Sequence, residues 1–372
     1  MLIIIYIITT IITLFLSYFV KETITNYNGS VVKHKYYIKA PNYILRLWRF
    51  SCCLPLLLVS ALRVNVGTDY IQTYYKGFIR FINGNDIDHF EIGYKAIMIL
   101  SNLITSNPQV IFITTSFLFV TITFYAIYNE SPDILYSIFL LIVSRYFFIS
   151  MNMVKQFIAM AIMLYSIKYL KEENDKYKFW IFFLIAASIH YSAIVCVTFW
   201  IISKINISKW KFWGITTLMT IFYFIFMKFD LAVLIKNIFT GTKYHKYFFN
   251  SFLYAGNNFA KWTFILNVCI LITFYIKLDS AKDYKYSLFF NIQLIACILC
   301  VFMPVIPLVE RIYFYFGFIQ IVSIPYILGF YSRREQVLIK LAVGVVLIMY
   351  CYIDIFVNMD HEVFPYYSIF SA

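Results

Sequence analysis

The first apolar run of the chain, LIIIYIITTIITLFLSYFV at residues 2–20, contains no charged side chain. A helix of this length, with a rise of about 1.5 Å per residue, crosses a hydrocarbon layer about 30 Å thick. No basic residue precedes the run and no cleavage site is evident after it. We therefore expect a first membrane span here rather than a secretory signal peptide.

The composition of the whole chain extends this prediction. Hydrophobic residues make up 62% and charged residues 13% of the 372 residues, whereas soluble domains contain roughly 25% charged residues. Aromatic residues alone reach 21%. One soluble core cannot bury so much apolar surface, but lipid can solvate it. The fold class predicted is an all-α, polytopic helical integral membrane protein.

The net charge of +13 is distributed along the chain in a way that argues against a nucleic-acid partner. Basic residues cluster in short connections between apolar segments, which is the pattern of positive-inside topology. This places the basic residues after the first run in the cytoplasm and both termini outside. The tail outside carries Asp360, His361 and Glu362.

Hydropathy and charge together predict about ten spans in a single transmembrane domain that covers residues 1–372. Residues 67–107 mix aromatic and charged side chains and are expected to form interfacial helices outside. Residues 179–203 have basic residues at both ends, so a re-entrant hairpin turning near His190 is expected, and residues 229–260 form an outer loop. The spans are expected at about 2–20, 48–66, 109–128, 133–150, 153–170, 212–228, 262–278, 287–305, 312–331 and 337–357.

The seven cysteines all lie in apolar stretches. Cys297 and Cys300 have CxxC spacing, but no second ligand pair follows in a polar loop. A zinc site is therefore not expected, and all seven are interpreted as small packing residues.

Ionisable groups at membrane depth are costly and usually mark function. Cations at the outer ends of apolar segments suit an anionic group such as a diphosphate, but they also suit lipid headgroups. The histidine in the apolar segment 179–203 is either a core histidine bonded to a carbonyl or a general base. The sequence GTD at residues 67–69 is either an ordinary turn or part of a site. These cations are Arg63, Arg145, Lys155 and Arg311, and the histidine is His190.

Four segments in order resemble the EpsG family of exopolysaccharide and capsule polymerases, which are related to Wzy proteins. They are SALRVNVGTDY at 60–70, KQ at 155–156, SIHYSA at 188–193 and ERIYFYFG at 310–317. The resemblance covers nearly the whole chain. The family usually has arginine where this chain has Lys155, which puts a bidentate phosphate contact there in doubt, and Arg145, one helix away, is a candidate to compensate.

The resemblance implies a GT-C-like polymerase that joins undecaprenyl-diphosphate-linked repeat units at the outer face of the bacterial cytoplasmic membrane. It implies His190 or Asp69 as the base, without choosing between them. The diphosphate leaving group is already activated, so no cofactor, nucleotide or metal is implied. Contacts to diphosphate or sugar are implied for Arg63, Lys155, Gln156, Arg311, Tyr70 and Arg145.

The partners that such an enzyme implies are the lipid-linked glycan and membrane lipid, with a chain-length regulator and a flippase as candidate protein partners. Two other classes stay open. A flippase or transporter of lipid-linked sugars needs a cation-lined path and alternating access, and the lack of repeat symmetry counts against it. A surface-glycan acyltransferase or ligase shares the many spans and the outward histidine.

The expected hairpin gives a test of topology. Asp175→Cys and Ile207→Cys, each as the single cysteine in the chain, should both react with an impermeant thiol reagent from the cytoplasmic side, because both flank the hairpin. Reaction from opposite sides would show that residues 179–203 cross the membrane once.

Overall fold

The computed structural model describes residues 2–18, 42–171, 175–228, 237, 240–241, 257–279, 283–304 and 306–371. Most of the outer loop predicted at 229–260 lies outside these residues. The described residues form helices and no strand, which confirms the prediction of an all-helical protein. The helices are α1 (Leu2–Tyr18), α2 (Asn42–Ala61), α3 (Lys76–Ile82), α4 (Ile92–Asn102), α5 (Gln109–Glu130), α6 (Ile134–Val143), α7 (Tyr146–Ser150), α8 (Val154–Ser166), α9 (Lys176–Ile189), α10 (Val197–Ile202), α11 (Lys209–Lys228), α12 (Asn257–Ile276), α13 (Tyr284–Phe302), α14 (Val309–Gly317), α15 (Gln320–Leu328) and α16 (Arg333–Cys351).

The predicted count of about ten spans is not confirmed. Of the helices in the described residues, three are long and apolar enough to cross a membrane: α5, α13, and α16 with its π-helical extension to Val357. The pair α14 and α15 adds a fourth if it forms one broken span. Several other predicted spans are shorter because the helix breaks inside the apolar run, as it does between α6 and α7.

The outward surfaces of α1 and α16 are apolar. Ile11 and Phe15 on α1 are exposed, and so are Leu338, Leu341 and Val345 on α16. Soluble proteins rarely expose contiguous apolar surface of this kind. These faces suit contact with lipid, as expected of a membrane protein.

The chain forms two compact units. One comprises Met1–Ile194 and Ile321–Ala372, and the other comprises Val195–Gln320. In the first unit, α5 packs against α2 and α8, and α8 packs against α9. The short helix α4 packs against both α5 and α9. This arrangement brings the ends of α4, α8 and α9 into one region.

The backbone changes conformation at His190, where the hairpin is predicted to turn. Helix α9 ends at Ile189, and His190 follows it in an extended conformation with φ of −149° and ψ of 116°. The chain continues as a 3-10 helix, Tyr191–Cys196, and then as α10. The hairpin itself stays a prediction, and so does the interfacial position of α3 and α4.

The second unit contains a buried network of amide side chains. Gln320 Nε2 donates to Asn267 Oδ1 at 2.6 Å and to Gln293 Oε1 at 3.0 Å, and Gln293 Nε2 donates to Asn267 Oδ1 at 3.0 Å. Asn267 Nδ2 donates in turn to the Tyr313 hydroxyl at 2.9 Å. Hydrogen bonds between apolar helices hold them in register where the hydrophobic effect does not. Asn267 is therefore the centre of the polar core of this unit.

Replacing Asn267 with leucine should destabilise the protein by about 1–3 kcal/mol, because the buried amides of Gln293 and Gln320 lose their shared acceptor. The midpoint of thermal unfolding in detergent measures this loss. Cys269→Ala is the matched control, since Cys269 lies on the same helix and is exposed. Equal midpoints for the two variants would contradict a stabilising role for the network.

Candidate active site

A single buried carboxylate binds two of the predicted site residues. Lys155 Nζ lies 2.6 Å from Glu91 Oε2, and His190 Nδ1 lies 2.9 Å from Glu91 Oε1. Glu91 is 5% exposed, so both of its oxygens are bonded inside the protein. We call Lys155, Glu91 and His190 the Glu91 cluster.

Helix ends place the three members of this cluster. Glu91 is the extended residue just before α4, and His190 is the extended residue just after α9. Lys155 lies in the first turn of α8. At a helix end the backbone leaves the helical path, so a side chain there is free to turn toward a neighbouring helix. The three ends meet because α9 packs on both α4 and α8.

The approach of α4 to α9 depends on Gly93. A Cβ at this position would lie 2.4 Å from Ser188 Oγ, 2.7 Å from the Ser188 carbonyl carbon and 2.8 Å from the Ile189 nitrogen. The last two are backbone atoms, so the space cannot be made by turning a side chain. Absence of a side chain at Gly93 thus lets Glu91 come within hydrogen-bond distance of His190.

The electrostatics of the cluster favour an ionised Glu91. Burial acts to raise the pKa of this carboxyl, but the hydrogen bonds from His190 and Lys155 outweigh it and bring the pKa to about 2. Glu91 lies in the segment before α4, outside the candidate membrane spans. The Lys155 ammonium also lies over the rings of Phe90 and Tyr94, at 5.2 and 5.7 Å from their centroids. The face of an aromatic ring attracts a cation, so these two rings also stabilise the Lys155 ammonium in this position.

The GTD turn at residues 67–69 is held by Asn152. Asn152 Oδ1 accepts hydrogen bonds from Thr68 Oγ1 and from the Asp69 backbone nitrogen, both at 2.9 Å. Asn152 lies in the break between α7 and α8, only three residues before Lys155. The same break therefore positions the turn and one member of the Glu91 cluster.

Gly67 is required at this turn. Its φ is +102°, and a Cβ there would lie 3.0 Å from the Met151 carbonyl oxygen. The Asp69 carboxylate, half-buried, accepts a hydrogen bond from Thr73 Oγ1 at 3.2 Å. Asp69 is thus partly accessible and directly precedes the π-helical turn Tyr70–Tyr75.

The C-terminal tail covers the same turn. The Gly67 and Thr68 backbone nitrogens donate to the carbonyl oxygens of Glu362 and His361 at 2.9 and 3.2 Å. The His361 ring contacts Asn152 as well, with Nδ1 3.0 Å from Nδ2. An isolated antiparallel β-bridge joins Arg63 to Ser368. The tail and the turn are therefore held together by backbone hydrogen bonds, although more than 290 residues separate them in the chain.

Arg63 is buried, with 1% of its surface exposed. Its guanidinium donates to the Met151 carbonyl oxygen at 3.1 Å, to Ser116 Oγ at 3.2 Å and to the Ser60 carbonyl oxygen. It also lies over the Phe112 ring, 5.0 Å from the centroid. The structure thus shows Arg63 binding the backbone at the end of α2 and at the α7–α8 break, where it joins these elements.

Tyr70 and Gln156 are also buried. The Tyr70 hydroxyl donates to Gln109 Oε1 at 3.1 Å, and its ring stacks on Phe112 with centroids 4.0 Å apart. Gln156 Nε2 lies 3.8 Å from the Met160 sulfur within α8. Both side chains contact protein groups in this structure.

The other two predicted cations are Arg145, in the first unit, and Arg311, in the second. Arg145, in a left-handed conformation between α6 and α7, forms a buried ion pair with Asp354 and lies over the Tyr350 ring at 4.3 Å. This pairing neutralises the cation inside the protein. Arg311 is exposed on α14 in the second unit.

Two residues of this region were not identified from the sequence. In the sequence, Glu91 is one of several acidic residues in a segment of mixed polarity. Asn152 is a polar residue between two apolar runs. One signal was available for Glu91, because it directly precedes the short apolar helix α4 and an acid at a helix N-terminus often has a partner. Within the described residues, no three His, Cys, Asp or Glu side chains lie close enough together to bind a metal ion.

Replacing Gly93 with alanine should lower the unfolding midpoint of the protein, because α4 must move away from the backbone of residues 188 and 189. The matched control is Gly214→Ala on α11, where a Cβ meets nothing within 4 Å. Removing a helical glycine there should leave stability unchanged or raise it by about 0.5–1 kcal/mol. A Gly93→Ala protein as stable as the control would contradict the close packing of α4 on α9.

Comparison with known proteins identifies the family. The family model for the EpsG family matches residues 46–368, which include the Glu91 cluster, the GTD turn and most of the tail. This is a family of Wzy-type exopolysaccharide polymerase-like proteins. No curated protein and no solved structure matches the chain. The match spans far more than half of the sequence and agrees with the resemblance seen in its motifs, so the chain belongs to the EpsG family.

Proposed function

We propose that this protein is a polymerase that joins undecaprenyl-diphosphate-linked oligosaccharide repeat units at the outer face of the bacterial cytoplasmic membrane. Family membership supports a polymerase of exopolysaccharides. The structural observation that supports the proposal is the Glu91 cluster, in which a buried carboxylate holds a partly exposed histidine. A histidine held in this way suits removal of a proton from a sugar hydroxyl.

The reaction requires little beyond acid–base and electrostatic help. An acceptor hydroxyl oxygen attacks C1 of the sugar that is attached to the diphosphate of the growing chain. The C1–O bond to the diphosphate breaks, and its electron pair leaves on the diphosphate oxygen. The enzyme must accept the hydroxyl proton and stabilise the charge that develops on the diphosphate.

The candidates for these roles are the predicted site residues. His190 and Asp69 are the candidate bases. Family resemblance assigns Arg311 to the diphosphate, and its exposed side chain is accessible to a ligand. Arg63 is buried against carbonyl oxygens, so in this proposal it supports the GTD turn and reaches substrate only if the turn moves.

The proposal predicts the effect of His190→Gln in the producing strain. Polymer should disappear, because glutamine cannot accept the hydroxyl proton, and single lipid-linked repeat units should accumulate on the outer face. Gel analysis of the polymer and mass analysis of extracted lipids measure both. Arg311→Ala should give the same result.

His89→Gln is the control, since His89 is exposed and makes no contact with Glu91 among the hydrogen bonds of the described residues. Single units that accumulate on the inner face would indicate a flippase instead. Unchanged chain length would indicate an acyltransferase or another modification of the finished glycan. Either outcome would refute the proposal that this protein is a polymerase.

A further inference from the structure

We infer that Glu91 is a positioning residue that presents Nε2 of His190 as the base for the acceptor hydroxyl, and that Lys155 acts on this pair rather than on the diphosphate. This inference rests on the proposed function. It selects His190 over Asp69, and it gives Lys155 a different role from the one that its motif implies.

The contact with Glu91 determines which nitrogen of the His190 imidazole carries the proton. An ionised carboxylate only accepts hydrogen bonds, and Glu91 stays ionised at neutral pH because its pKa is about 2. The 2.9 Å contact between Glu91 Oε1 and His190 Nδ1 therefore requires a proton on Nδ1. In the neutral ring the lone pair is then on Nε2.

The partial exposure of His190 makes Nε2 accessible. The His190 side chain is 19% exposed, whereas Glu91 is almost fully buried. A ring that is bonded on its buried side presents its other nitrogen outward. The carboxylate also fixes the orientation of the ring through the Nδ1 contact.

Asp69 is the weaker candidate on chemical grounds. An imidazole is a stronger base than a carboxylate, and the Asp69 carboxylate accepts the Thr73 hydroxyl at 3.2 Å. Its backbone nitrogen is fixed by Asn152. These contacts suit a turn that borders the site.

The positive charge of Lys155 is paired with a carboxylate of the protein. Its ammonium lies 2.6 Å from Glu91 Oε2 and over two aromatic rings. A contact that draws the ammonium away from Glu91 toward a diphosphate is costly, because it leaves Glu91 with an unpaired buried charge. The ammonium instead binds the second oxygen of the carboxylate that holds His190.

The proton transfer balances within this arrangement. The acceptor O–H bond breaks as its oxygen forms a bond to C1, and the proton moves to Nε2 of His190. The C1–O bond to the diphosphate breaks, and the electron pair leaves with the diphosphate. His190 becomes an imidazolium between Glu91 and solvent, and it returns its proton to water or to the released diphosphate.

The charged groups around His190 predict opposite effects for the two partners. The groups that face the ring or its partners are Glu91, Lys155, Tyr94 and the nearby His89. Glu91→Gln removes the negative charge, so the acid limb of the rate profile should move to lower pH, with a lower rate. Lys155→Met removes the positive charge, so the acid limb should move to higher pH.

The experiment measures polymer formation by the full-length protein in lipid nanodiscs between pH 5 and 9. The substrate is the lipid-linked repeat unit extracted from a strain that lacks this protein. Glu91→Asp and Lys155→Arg keep the charges and should return the acid limb toward its wild-type position. Lys209→Met, which removes a lysine paired with the exposed Asp279, should leave the limb in place, and unfolding midpoints show that each variant is folded.

The outcomes separate the two proposals. Acid limbs that move in opposite directions support the inference, since loss of structure alone does not shift two limbs oppositely. Folded variants whose limbs stay in place, or move in the same direction, overturn it. A higher KM for the lipid substrate in Lys155→Met with an unmoved limb also overturns it and assigns Lys155 to the diphosphate. Failure of the wild-type protein to form polymer refutes the proposed function itself.

Discussion

The burial of one carboxylate constrains the structure around the candidate active site. An ionised carboxylate in an apolar environment costs several kcal/mol unless it is paired and hydrogen-bonded. Glu91 meets this requirement with partners from two other helices, Lys155 of α8 and His190 after α9. The ends of α4, α8 and α9 must therefore meet, and Gly93 provides the space for it. The histidine that the chemistry needs is oriented by the same contact that satisfies the buried charge.

A second set of contacts fixes what borders this cluster. The break between α7 and α8 exposes the Met151 carbonyl oxygen to Arg63 and the Asn152 amide to the GTD turn. Broken helices at membrane depth are tolerated where protein groups satisfy the freed backbone. The tail satisfies the other side of the turn through backbone hydrogen bonds from Gly67 and Thr68. Arg63, predicted as a ligand for substrate, is one of the groups that make this break possible.

The sequence predicts the all-helical class, but neither the length of several helices nor the contacts between them. The α7–α8 break and the end of α9 at His190 follow from hydropathy and charge, which act locally. Glu91 was missed because its partners lie 64 and 99 residues away in the chain, and an acid in a mixed segment resembles a solvated one. The span count was not confirmed because hydropathy does not register a break such as the one at Arg145, whose ion-pair partner Asp354 lies on another helix.

The central claim is that Glu91 determines which nitrogen of His190 carries the proton. Nitrogen-15 NMR of the histidine-labelled protein, at a pH above the titration of the ring and with His190 assigned by its loss in a variant, reports this directly. The account predicts a protonated Nδ1 and an unprotonated Nε2 in the wild-type protein. A proton on Nε2, with Nδ1 unprotonated, would contradict it.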